Sequence, residues 1–175
     1  MSMKLMIDEN NLEFSLLLKN DDTGNVIESG ALEEGFRKQN KRHITILGGV
    51  IQKLLKNILE ELPLNESLSA LDKINKILKS LQWRYELREI YRIKKAGHFD
   101  NDTILENRES YIMMIDMPDI KVFYRELNRL LKTNFPVQVP HITLFTKGER
   151  KNPSWYGIPV PSIEEFNSMQ PEKIS

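Results

Sequence analysis

His141-Ile142-Thr143-Leu144 repeats, almost letter for letter, an earlier stretch of the same chain, His43-Ile44-Thr45-Ile46. The chain has three histidines, and two of them stand in this tetrapeptide. Read as a strand, the tetrapeptide puts residues i and i+2 on one face. His43 then stands beside Thr45 and His141 beside Thr143, while Ile44, Ile46, Ile142 and Leu144 face the other way, toward covering helices. Read as a helix, the same spacing separates His from Thr by roughly 200° and dissolves the grouping.

The flanking sequence supports the strand. Residues 41–47 are β-rich, and Gly48-Gly49 ends them and opens a helix with the stripe Ile51, Leu54, Leu55, Ile58, Leu59 and Leu62, stopped by Pro63. A second helix follows, capped by Asn65 or Ser67, with the stripe Leu68, Leu71, Ile74, Leu78 and Leu81. Upstream, residues 12–19 alternate as a strand with Leu12, Phe14, Leu16 and Leu18 on one side, closed by the turn-rich stretch 20–25. Residues 30–40 are polar and carry at most a short helix over 31–38.

Downstream, residues 84–95 read as a long strand, with Tyr85, Leu87, Tyr91 and Ile93 on one face and Arg84, Glu86, Arg88, Arg92 and Lys94 on the other. Residues 96–107 are polar and Gly/Asp/Asn-rich, hence a loop holding the third histidine, His98. Residues 111–115 are continuously apolar, a buried central strand. Asp116 and Pro118 start a helix with the stripe Ile120, Phe123, Tyr124, Leu127, Leu130 and Leu131. Residues 135–140 lead into the second tetrapeptide, whose strand ends at Lys147-Gly148. Beyond residue 152 the chain is Pro-rich, with an edge strand expected at 156–160 and a flexible tail at 165–175.

Strand 110–116, its helix and strand 141–144 thus echo strand 12–19, a poorly helical connection and strand 43–46. This duplication predicts an α/β (α+β) fold of one domain over 1–175. Two pseudo-symmetric lobes, each a mainly antiparallel sheet with covering helices, would face each other across a central cleft.

Composition sets the outer bounds. A chain of 175 residues with 40% hydrophobic and 29% charged content is an ordinary soluble globular protein. Twenty-five basic residues offset 25 acidic ones, which argues against avid, non-specific nucleic-acid binding and leaves room for a small anionic substrate. The absence of cysteine rules out disulfides, thiol chemistry and Cys-ligated zinc. No apolar run is long enough to span a bilayer, so the expected address is cytoplasmic and the expected state a monomer without membrane contact.

Two imidazoles and two hydroxyls suit a phosphodiester. Water attack at phosphorus needs a base on one side and, in line, an acid protonating the leaving oxygen. Histidine, with an ordinary pKa near 6.5, can serve as either. Threonine hydroxyls can donate to non-bridging oxygens as charge develops. No metal or cofactor is required. The rival metal reading, the two His with Asp116, has no further carboxylate at motif spacing.

The paired motifs, Pro140 just before the second, and the strand-helix-strand of residues 111–145 resemble the two-histidine (2H) phosphoesterase superfamily, which includes 2′-5′ RNA ligase-like proteins and RNA 2′,3′-cyclic phosphodiesterases. The resemblance is loose in the poorly helical first connection and the 84–95 strand. It implies a bilobal fold and a metal-independent hydrolase acting on a nucleotide or RNA 3′-end that carries a cyclic phosphate. His43 and His141 would catalyse, and Thr45 and Thr143 would bind phosphate. Lys147, continuing along the His141/Thr143 face, is the expected further phosphate neighbour, and Phe145, Tyr111 and Tyr156 are the expected base-stacking side chains. Arg42 should point away, and His98 should be an ordinary surface residue. The alternative is a catalytically weak RNA- or nucleotide-binding module of the same fold.

Overall fold

In a computed structural model the described residues are 2–19, 24–99, 105–149 and 157–174. The chain opens on a hairpin: β1 (Ser2–Asp8) pairs antiparallel with β2 (Glu13–Lys19). The Asp8 carboxylate closes the turn. It accepts from the backbone N–H groups of Asn10 and Asn11 and from the Asn11 side-chain amide at 2.9–3.2 Å. These bonds, chiefly those from Asn11, hold the carboxyl below its ordinary pKa. The alternating Leu12, Phe14, Leu16 and Leu18 are all buried, as their spacing predicts. β1 is an additional strand whose alternation of Met3, Leu5 and Ile7 is blurred by the exposed Met6.

After a short 3-10 turn come α1 (Glu28–Glu33), the two-residue β3 (Arg37–Lys38) and β4 (His43–Thr45). α2 (Gly49–Glu61) and α3 (Leu64–Ser80) follow, and α3 starts directly after Pro63 rather than at a polar cap. Then come β5 (Glu86–His98), β6 (Leu105–Asp116), α4 (Pro118–Leu131), β7 (His141–Lys147), α5 (Ile163–Ser168) and β8 (Glu172–Lys173). Three of these depart from the expected elements. The stretch 96–107 is no polar loop throughout, because β5 and β6 pair all the way to His98↔Leu105. Residues 157–160 form no strand, and the end of the chain contains α5 and β8, with β8 bonded to β5.

The described strands join into one eight-stranded antiparallel sheet, ordered β1-β2-β4-β7-β6-β5-β8, with β3 lying beside β4 along the same edge of β7. One face carries Ile44, Ile46, Ile142 and Leu144 into a core shared with Ile51 and Leu55 of α2, Ile74 of α3 and Phe123 and Tyr124 of α4. Each such fully buried side chain contributes about 1.5–3 kcal/mol of apolar burial. The opposite face holds a smaller cluster in which Ile93 and Ile112 pack with Ile158, Val160 and Phe166.

Two bulges change which residues share a face. Between Leu87 and Ile90 the β5–β6 register slips by one. Leu87 therefore leaves the face of Tyr91 and Ile93, against the simple alternation read over 84–95. The second bulge is in β7: Tyr111 pairs with Phe145 but Ile112 with Thr143, so Leu144 is the extra residue. That single residue reverses the inward and outward sense of everything after it.

Candidate active site

β4 and β7 pair antiparallel through Ile44↔Ile142. One step to either side, this register sets His43 opposite Thr143 and Thr45 opposite His141, all on the sheet face opposite to the isoleucines. The two tetrapeptides are thus related by a local twofold axis passing through their central pair. Directly opposed residues have Cβ atoms about 4.5–5.5 Å apart and diagonal ones about 7–8 Å. The two imidazoles are diagonal partners across the pair.

All four side chains line a single cleft of about 250 Å³. His43 is exposed, while Thr45, His141 and Thr143 are half-buried. The His141 Nδ1 lies 2.9 Å from the Val139 carbonyl oxygen. A carbonyl only accepts, so Nδ1 carries the hydrogen and Nε2 keeps its lone pair. Burial lowers the His141 pKa, the bond to Val139 opposes this, and the charge of nearby His43 lowers it further. At neutral pH His141 is an uncharged imidazole held in one tautomer.

Three expectations are corrected, two of them by the bulge at Leu144. Phe145 does not share the His141/Thr143 face: it is fully buried in the helix-side core, edge-on to Tyr111 at 6.4 Å. Tyr111 lies with it, against Phe36 at 4.7 Å, and lines no part of the cleft. Lys147 is turned the same way. Its ammonium donates to the Glu34 carbonyl at 2.9 Å and sits over the Phe36 ring, and it does not line the cleft. Tyr156 lies outside the described residues. Arg42 is buried off the cleft, and His98 is exposed on β5, away from it.

Other residues line the cleft in their place. Thr146, which ordinary alternation would send into the core, faces the cleft and accepts a 2.8 Å bond from the Gln39 amide. Lys41 lines the cleft two positions before His43, and Gln138 lines it from the approach to β7. Gly48, Gly49, Val50 and Ile51 bring the start of α2 to it, and residues 157–161 form a further wall. Lys41 was legible by the same i, i+2 rule that pairs His43 with Thr45. Thr146 was not, because no residue type announces the bulge. Among the described lining residues none is acidic.

The wall is tied down from beneath. Arg108 on β6 is 1% exposed, pairs with the equally buried Glu106, and donates from Nη1 to the Gly157 carbonyl at 3.0 Å. Its guanidinium lies 4.0 Å over the Phe99 ring. Near the other wall, Tyr124 donates its hydroxyl to the Ile46 carbonyl at 3.1 Å and fixes the chain just before Gly48. Burial raises that phenol's pKa, so it stays a donor.

Among the described residues, no group of three or more His, Cys, Asp or Glu side chains is placed to hold a metal ion. Asp116 is engaged by Arg88 at 2.8 Å. No described helix is long and apolar enough to cross a membrane. No protein-family model, curated protein or solved structure matches the chain.

Proposed function

We propose that this chain is a metal-independent phosphodiesterase of 2H type, hydrolysing a 2′,3′-cyclic phosphate on a nucleotide or RNA end. The observation that carries the reading is the Ile44↔Ile142 pairing, which brings both His-Ile-Thr copies into one cleft about a local twofold. In this reading the two halves of the sheet on either side of that pair are the two pseudo-symmetric lobes.

The roles follow from the environments. His141, neutral and with Nε2 free, takes a proton from the attacking water as its oxygen bonds to phosphorus. His43, exposed and diagonal to it, protonates the departing ribose oxygen as that P–O bond breaks, leaving a phosphate monoester. Thr45 and Thr143 donate to the non-bridging oxygens, and Lys41 offsets their charge. The described lining, with no acidic residue, admits an anion without repulsion.

The deciding assay offers 2′,3′-cyclic mononucleotides and cyclic-phosphate oligonucleotides in the presence of EDTA. Turnover to the monoester is expected to persist, and activity lost to EDTA would rule out the metal-free mechanism. The pH profile gives an independent check. The base works unprotonated and burial lowers its pKa, so the acid limb of kcat/KM should fall below the ordinary histidine value of about 6.5. An acid limb above that value would assign the base elsewhere.

A further inference from the structure

We propose that the Gln138 amide and the first turn of α2 form a second subsite of the cleft, built for a neutral group of the substrate that both donates and accepts a hydrogen bond. A sugar hydroxyl or the edge of a base has this chemistry, and a second phosphate does not.

Gln138 is 4% exposed and lines the cleft, yet its Oε1 is buried with no hydrogen-bond partner. Buried amide oxygens are nearly always satisfied. The amide end lies against the start of α2, since a Cβ placed on Gly48 would come within 2.4 Å of Oε1. Glycine at 48 is what lets the amide reach this position. The same glycine leaves the helix without a side-chain cap. The first bond of α2 runs from Gln52 N–H to the Gly48 carbonyl at 2.9 Å. The N–H groups of Gly49, Val50 and Ile51 precede it and have no carbonyl within the helix to donate to.

An unmet acceptor therefore sits beside donors that the helix itself does not use, inside the cleft that holds both histidines. A helix start alone favours an anion, but here a phosphate would press its charged oxygens against Oε1. A hydroxyl resolves both demands at once, giving its proton to Oε1 and accepting from α2. The amide or amidine edge of a base does the same with two adjacent atoms. Ile158 and Val160 on the facing wall are apolar and add no competing charge. The proposal rests on the phosphodiesterase reading only for the choice of probes.

The test replaces Gln138 by Met, which keeps the unbranched length and removes both polar atoms. Titration calorimetry follows cytidine 3′-monophosphate, adenosine 3′-monophosphate, ribose 3-phosphate and inorganic phosphate on the wild-type protein and on Gln138→Met. Binding of the nucleotides should weaken about 5- to 10-fold, as for one lost neutral hydrogen bond, with inorganic phosphate unaffected. The variant should melt at the same or a higher temperature, because an orphaned acceptor has been removed. An equal loss with ribose 3-phosphate assigns the group to the sugar, and a loss confined to the nucleotides assigns it to the base.

The subsite is overturned by unchanged nucleotide binding, by an equal loss for inorganic phosphate, or by wild-type protein that binds none of the probes. A lower melting temperature with losses across all probes would make Gln138 a structural residue. A wild-type preference for cytidine 3′,5′-bisphosphate that Gln138→Met abolishes would make the site a phosphate site instead. No arm reads hydrolysis, so absence of turnover in EDTA would remove the enzyme assignment without deciding this one.

Discussion

Replacing either His43 or His141 by Ala is expected to lower kcat by at least roughly 10²-fold, the low end for loss of a general acid or base. The two losses should differ in their pH signatures. Removing His141 deletes the acid limb, because the residue that must shed its proton is gone. Removing His43 deletes the alkaline limb, because the residue that must hold one is gone. Far-UV circular dichroism and thermal melts of both variants separate chemistry from folding, and His43, being exposed, should melt like wild type. Near-full activity in either variant would withdraw the catalytic role from that residue. The double variant should be little worse than the poorer single one, because residues acting as a unit are not additive.

The second large effect is on stability. Arg108→Met leaves the Glu106 carboxylate, 2% exposed, without its guanidinium. Breaking a buried pair from one side costs about 3–5 kcal/mol. For a chain of this size that lowers the Tm by roughly 10 °C. It also releases the Gly157 carbonyl and with it the start of the 157–161 wall, so KM should rise more than kcat falls. Adding Glu106→Gln removes the stranded charge and should recover part of the Tm. An unchanged Tm in Arg108→Met would mean the pair contributes nothing net to stability.

The reading of sequence into structure succeeded where periodicity is unambiguous. The alternation of β2 and the apolar run in β6 bury nearly all the residues their spacing names, and the stripes of α2, α3 and α4 bury their centres, with Leu54 of α2 and Leu68 of α3 left exposed at the margins. The four residues of the paired motif come together for the same reason, since each His-x-Thr is too short for anything to intervene. Over longer spans a parity argument carries a hidden condition, that no extra residue enters the ladder. Phe145 and Lys147 are two and four positions beyond Thr143, and the Leu144 bulge between them sends both to the helix side. Leu87 and Tyr91 part company across the β5 slip in the same way. A bulge is decided by tertiary pairing, and its composition leaves no mark a single sequence can display. Gln138 and residues 157–161 join the cleft through long-range packing alone, which local pattern does not encode.

The β4–β7 pairing has a consequence for how this protein comes to exist in time. Its two strands lie far apart in sequence, so closing that contact costs more chain entropy than closing a hairpin does. The pair also stands well inside the sheet, with β2 and β1 beyond it on one side and β6, β5 and β8 on the other. Fraying begins at edges and termini, and the last region to open is the interior of the ladder. The histidines are therefore among the last residues to separate as the sheet opens. A chain frayed at the edges of its sheet still holds both copies of the motif side by side.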